Sequence, residues 1–133
     1  MNTFRLKLIA GNRKFFDGRC VSLTVPAYDG EMGILANHSN MACALDEGTV
    51  RLEKEDGEKV EAVVTGGFVE MIDNTVVMLA HTIERPEEID VRRAREAKQR
   101  AEEQLRRKQS KAEYYHSRAA LGRAVARLRA TKK

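Results

Sequence analysis

The sequence contains no tryptophan, two cysteines, three histidines and two prolines, and aromatic residues fill only 5% of its 133 positions. With so few rings, the core has to be aliphatic and modest in size. Cys20 and Cys43 make neither a Cys-x-x-Cys pair nor a Cys/His ligand set, which argues against a metal finger. Without a secretory segment, two free, buried thiols in a reducing compartment are expected rather than a disulfide. The opening MNTFRLKLIAGNRKFF has no apolar stretch of signal-peptide length. The longest apolar runs, Met41–Leu45 and Val76–Ala80, fall far short of the roughly 20 residues that span a bilayer. Any membrane association is therefore expected to come through a partner.

Catalytic signatures are missing as well. His38, His81 and His116 lie in no His-Glu-x-x-His and near no carboxylate or thiol cluster. No serine has the Gly-x-Ser-x-Gly setting of an activated nucleophile. Asp29 and Glu31 form a carboxylate pair, but nothing there would hold them around a scissile bond, so they read as loop-stabilising or partner-facing. His38 reads as a hydrogen-bonded loop residue. Hydrolase and redox chemistry find no support, and no metal ligand set is expected.

What the chain does have is charge, unevenly placed. Its net +4 comes from 24 basic and 20 acidic side chains. Residues 1–85 hold 9 Lys/Arg and 13 Asp/Glu, a net of −4, whereas residues 86–133 hold 15 and 7, a net of +8. Such asymmetry points to two parts with different tasks, 1–85 and 86–133.

The first part alternates with a period of two. Phe4, Leu6 and Leu8 are separated by Arg5 and Lys7; Val21, Leu23 and Val25 by Ser22 and Thr24. Val50 and Leu52, then Val60, Ala62 and Val64, repeat the pattern. One face of each strand is thus core and the other water. Asp17-Gly18, Glu47-Gly48, Asp56-Gly57 and Asp73-Asn74 are expected turns. The spacing predicts an antiparallel sandwich or barrel, and two alternating faces packed as an antiparallel β-sandwich would bury the aliphatic set without tryptophan. Residues 26–40, rich in Gly, Asn and Asp, are expected to form an ordered loop. Gly66-Gly67 is expected to mark a bulge or a close backbone approach, since no phosphate-loop spacing follows.

The second part changes character after Arg85-Pro86. Glu87, Glu88 and Asp90 suit the positive end of a helix dipole. From Ile89 to about Gln109 the chain lacks Gly and Pro and is rich in helix formers. Its apolar stripe is Ala94, Ala97, Ala101 and Leu105. A break near residues 108–111 is followed by Ser110 as N-cap, with Glu113 three residues on. The second helix is expected to run to about Leu128, with Tyr114, Leu121, Val125 and Leu128 as its stripe and Ala112, Ala119 and Ala126 on an adjacent face. Together they predict a two-helix, coiled-coil-like antiparallel hairpin and an α+β chain overall. The small-residue seam gains only a few kcal/mol at about 25 cal/mol per Å², so the hairpin is expected to be marginal alone and able to move. Fifteen cations suit nucleic-acid phosphates, an acidic protein surface or plain solvation, but no nucleic-acid motif accompanies them.

Several segments, taken in order, resemble one family. They are Val25-Pro26-Ala27-Tyr28-Asp29-Gly30-Glu31-Met32-Gly33-Ile34-Leu35-Ala36-Asn37-His38, Gly66-Gly67-Phe68-Val69-Glu70-Met71-Ile72-Asp73-Asn74 with Val76–Ala80, Ile89-Asp90-Val91-Arg92-Arg93-Ala94, and Ala120-Leu121-Gly122-Arg123-Ala124 with Arg127-Leu128. The sequence is similar to the epsilon subunit of bacterial rotary ATP synthases along its whole length. It departs from the family pattern at Ala10-Gly11-Asn12 and at Asn40, where a proline is usual.

The resemblance implies a non-catalytic rotor subunit of the central stalk. Its sandwich would bind the gamma subunit and the ring of c subunits, with Gly30, Glu31, Met32 and His38 at that interface. The helical hairpin would be regulatory, extending toward the catalytic beta and alpha subunits to inhibit ATP hydrolysis. No cofactor is required. ATP would be a regulatory ligand held by Glu84, Ile89, Asp90, Arg93, Ala94, Arg100, Arg123 and Arg127. The location implied is peripheral, at the cytoplasmic face of the bacterial inner membrane, with the membrane reached only through the ring. A basic module binding nucleic acid is the alternative.

Overall fold

The computed structural model describes residues 2–11, 13–107 and 110–131. The chain separates into two compact units, Met1–Arg85 and Pro86–Lys133.

The first unit is built from seven strands: β1 (Phe4–Ala10), β2 (Arg13–Ala27), β3 (Gly30–Leu35), β4 (Met41–Lys54), β5 (Lys59–Ile72), β6 (Thr75–Ala80) and β7 (Ile83–Glu84). The neighbour order is β1-β6-β5-β4-β2-β3, and β1 also pairs with β2, so the pairing closes on itself. The result is a flattened sandwich whose two faces share their strands. All pairings described are antiparallel except β1 with β6, which run parallel with Arg5 opposite Thr75 and Ala10 opposite Ala80. Phe4, Leu6, Leu8, Leu23, Val25, Val50, Leu52, Val69, Met71, Val76 and Met78 fill the interior. Each is an alternate residue of its strand, and burial of each Leu, Val or Met side chain stabilises by about 1.5–3 kcal/mol. The core is thus aliphatic, with Phe4 its one fully enclosed ring.

Several expectations need correction. Residues 26–40 are not a single loop: β2 runs on to Ala27, and Gly30–Leu35 form β3, paired from Ser22↔Leu35 to Ala27↔Gly30. The glycines stay compatible with a strand because β2 supplies the partner ladder. Asp17-Gly18 and Glu47-Gly48 are not turns either. Gly18 lies opposite Leu6, and the Asp17 carboxylate accepts from Arg5 at 3.1 Å and from Lys14 at 3.5 Å. Desolvation works against that carboxyl, but the Arg5 hydrogen bond and charge, with Lys14, hold it below its ordinary value. Gly48 pairs with Val64, and a side chain there would meet the Pro26 ring at 2.7 Å. Asp56-Gly57 does turn, and Asp73-Asn74 makes a two-residue hairpin with φ +49° and +63°.

Gly66 and Gly67 mark a close approach without a slip in register. Both have positive φ, and a Cβ on Gly67 would sit 2.0 Å from the Leu79 carbonyl oxygen. Cys20 is buried and Cys43 half-buried, and neither is in a disulfide. Burial pushes the Cys20 thiol up to about 11.

The second unit opens with a 3-10 turn, Pro86–Glu88, followed by α1 (Val91–Arg106) and α2 (Lys111–Thr131). Asp90 caps α1, its carboxylate accepting from the Arg93 N–H at 3.1 Å. Ser110 caps α2 through the Glu113 N–H at 3.2 Å. The first helix stops at Arg106, short of its expected end at Gln109 (itself outside the described residues), because Arg107 takes extended backbone. The second helix outlasts its expected end at Leu128 by almost a turn.

The seam departs from expectation. Ala94 and Ala101 are buried on α1, as the stripe requires. On α2 the buried residues are Ser117, Ala124, Ala126 and Ala130, while Leu121, Val125 and Leu128 are half-buried and Tyr114 is exposed. Small side chains make the contact because they let two helix backbones approach closely. The larger ones are pushed to the flanks.

Candidate interaction surfaces

Four surfaces stand out, three on the first unit and one on the second. The first is the β2–β3 hairpin. Its tip, Tyr28-Asp29, precedes Gly30 at φ +129°, and Tyr28 is 85% exposed. Glu31 is exposed and ion-paired with Arg51 of β4. Met32 faces inward and packs against the core. Asp29 lies near enough to Cys43 that its charge, after burial, raises that thiol.

The second surface carries His38. β3 separates it from Gly30 and Glu31, so the structure divides this predicted set between the two ends of one strand. The His38 ring Nδ1 lies 2.9 Å from the Ser39 carbonyl oxygen. Its loop is stapled to the Asp73-Asn74 turn: the Asn37 N–H donates to the Asn74 side chain at 2.6 Å, and the Asp73 N–H to the Asn40 side chain at 3.0 Å. Asn40 therefore has a structural task of its own. Asn74 also donates to the Thr3 carbonyl at 2.9 Å.

The third surface is apolar. Phe68 on β5 lies opposite Leu79 on β6 and Ala44 on β4, and Ile72 continues the row. Phe68, Ile72 and Leu79 are all exposed, on strands whose outward positions should be polar. Sequence reading assigned these residues no role. The signal was present in Phe68 and Leu79, which fall out of phase with the core positions Val69, Met71, Val76 and Met78.

The fourth surface is the helical hairpin, which carries all of the predicted ATP set but Glu84. Three members have a plain structural account: Ile89 is buried, Asp90 is the N-cap and Ala94 lies in the seam. Arg93, at the third helical position, is exposed with no such task. Arg100 lies two turns further along α1 and lines an open α1–α2 cleft of about 610 Å³. Arg123 and Arg127 are half-buried, one turn apart on α2, away from that cleft. Glu84 belongs to the first unit, on β7 opposite Val63. Among the described residues no cluster of His, Cys, Asp and Glu could hold a metal ion, and no helix is long and apolar enough to cross a membrane.

An exposed apolar row on the strand unit and a basic helical unit are surfaces suited to binding partners. Comparison with known proteins makes this specific. The ATP synthase delta/epsilon chain β-sandwich domain matches residues 3–86, and the long α-helix domain of the same family matches residues 87–132. The chain is similar to the ATP synthase epsilon chain of Ruminiclostridium cellulolyticum, 47% identical over 98% of this chain and 97% of that one. It is 42% identical to that of Caldanaerobacter subterraneus subsp. tengcongensis, over 98% and 95%. The fold is shared with a chain in the Euglena gracilis mitochondrial ATP synthase, with a TM-score of 0.83 at 24% identity over 95% of this chain and 79% of that one. The chain belongs to the ATP synthase delta/epsilon chain family. An epsilon chain is a subunit of that enzyme and not itself a catalyst.

Proposed function

We propose that this chain is the central-stalk subunit that couples gamma to the c-ring, and that its helical unit regulates ATP hydrolysis. The observation that carries the reading is the full-length epsilon-chain match together with the change from a net −4 strand unit to a net +8 helical unit. The acidic β2–β3 hairpin end, with Gly30 and Glu31 outward and Met32 packed inward to hold the strand in place, suits the polar loops of the ring. The Phe68–Leu79 row and the His38 loop suit gamma, because an exposed apolar row loses its hydration cost when covered. Through the ring the subunit would sit peripherally at the cytoplasmic face of the bacterial membrane.

The helical unit is the regulatory part of this reading. A seam of alanines holds the helices together weakly, and surplus cations favour docking of the extended arm on acidic surfaces of the beta and alpha subunits. ATP binding to Arg93, Arg100, Arg123 and Arg127 would hold the folded arm by mass action. Arg93 supports this finer reading, since it is the motif residue that the helix itself does not need.

The test is the ATP hydrolysis rate of the assembled enzyme with and without residues 89–133. A clear rise on removal is expected, and an unchanged rate would overturn the regulatory role. For the nucleotide, calorimetry on the full chain should show ATP affinity falling in Arg93→Ala and Arg127→Ala. Affinity unchanged from that of the intact chain in both variants would rule that site out. Recovery of nucleic acid without gamma in a pulldown would favour a nucleic-acid-binding module instead.

A further inference from the structure

Two phenylalanines follow each other on β2, and neighbouring residues of a strand ordinarily point to opposite faces. Here Leu8 pairs with Phe16 but Ile9 pairs with Lys14, so Phe15 is the extra residue of a β-bulge. A bulge re-aims its side chain, and both rings pack half-buried against the core. The Phe15 ring also seats cations. The guanidinium carbon of Arg85 lies over it, 4.9 Å from the ring centre, and that of Arg13 at 5.8 Å. Arg13 stands two residues earlier on the same strand. Arg85 comes from the far end of the strand unit, whose last residue it is.

At that point the backbone is running out of holds. The His81 N–H donates to the Gly66 carbonyl and the Thr65 N–H to the Thr82 carbonyl, both at 3.3 Å. β7 then adds two residues, Ile83 opposite Val64 and Glu84 opposite Val63. Pro86 has no N–H with which to carry the ladder on. So short a strand at the end of a unit opens readily unless something beyond it is tied down. Burial at position 15 would be served by a leucine; only an aromatic face gives the guanidinium a seat. We propose that the bulged Phe15 and Arg85 form a cation–π latch on the chain's exit from the strand unit, so that the helical unit moves from the Arg85–Pro86 bond and not from a frayed β7. Arg13, at the longer distance, is the lesser partner of the ring.

The movement of the helical unit rests on the regulatory reading, whereas the latch is tested in the chain alone. Amide hydrogen exchange of the full chain is read by NMR across β7, with the β1 and β6 amides as the check that the strand unit stays folded. Phe15→Leu and Arg85→Gln should each speed exchange in β7 about fivefold, the size of a half-desolvated cation–π contact. The double variant should be no faster than either single one, because both remove the same contact. Phe15→Tyr, which keeps the ring face, should exchange as the wild type does, and Arg13→Gln should lie between. Unchanged exchange in Arg85→Gln, or effects that multiply in the double variant, would refute the latch. In the assembled synthase a longer free tether dilutes the arm at its docking place. ATP hydrolysis with Arg85→Gln should therefore shift part of the way toward the rate with the chain ending at Glu88. If truncation raises the rate and Arg85→Gln does not, the latch does not govern the arm, and the proposal falls while the regulatory reading stands. If truncation changes nothing, the regulatory reading falls and takes with it the latch's part in moving the helical unit, and the exchange cycle still decides the contact.

Discussion

The two units of this chain solve opposite problems with the same aliphatic alphabet. The strand unit buries Phe4, Leu6, Leu8, Leu23, Met71 and Met78 completely, behind a closed ring of strand pairs. The helical unit buries chiefly alanines, with Leu121, Val125 and Leu128 half in water. Burial energy scales with apolar area, so the first unit holds its shape by a wide margin and the second by a narrow one. The difference is one of reserve: a unit held by alanines loses its packing at far smaller cost than one held by a deep aliphatic core.

The largest expected effect tests the rigid side. Gly67→Ala places a methyl against the Leu79 carbonyl at a φ of +118°, and should cost about 4 kcal/mol, at the upper end for one substitution. Chemical denaturation of the full chain measures it, and a cost below about 1 kcal/mol would mean that the β5–β6 approach is looser than described. Next, Leu8→Ala should cost about 2–5 kcal/mol, whereas Ala101→Gly should cost about 1 kcal/mol. Amide hydrogen exchange should show each loss confined to its own unit. Equal losses would erase the contrast between deep and shallow cores.

A smaller effect sharpens the helix start. Asp90→Ala removes the N-cap and should cost about 1 kcal/mol of α1 stability, while Asp90→Asn, which still accepts from the Arg93 N–H, should cost a few tenths. If ATP affinity falls equally in both variants, the carboxylate charge matters beyond capping. The smallest effect concerns the thiols. Half-buried Cys43 should alkylate faster than Cys20 at pH 8, as read by mass spectrometry. The Cys20 thiol is raised in the folded chain from an ordinary value of 9.0 to about 11. Its neutral form therefore adds stability that is full below about pH 9 and lost as pH rises toward 11. A denaturation midpoint unchanged across that window in the wild type, relative to Cys20→Ala, would refute the assignment.

How much of this could be read beforehand depended on how local the cause was. The alternation in β1 is a property of five residues, and it sufficed to orient Phe4, Leu6 and Leu8. Capping by Ser110 was equally local. Asp17-Gly18 looked like a turn because the dipeptide tolerates one, but Arg5, twelve residues away, and the β1 ladder kept it straight. β3 was hidden in the same way, since its glycines form a strand only because β2 lies beside them. The large residues of α2 seemed the natural seam, and close helix approach favoured the small ones. Of the candidate sites, the motif at Ile89–Ala94 was visible as a pattern. That Asp90 serves the helix while Arg93 does not emerged only from the cap geometry.

The parallel pairing of β1 with β6 has a consequence in time. Arg5 meets Thr75, and Ala10 meets Ala80, across some seventy residues. Contacts that distant in sequence are slow to form, because the entropy of closing the chain comes before any reward. The ring of strands can close only after β6 has been made, whereas the helical hairpin needs only its own neighbouring residues. During synthesis, β1 must therefore wait with a single partner, β2, its other edge open until residues 75–80 arrive. The part of the molecule that ends up most rigid is the one that spends longest unfinished.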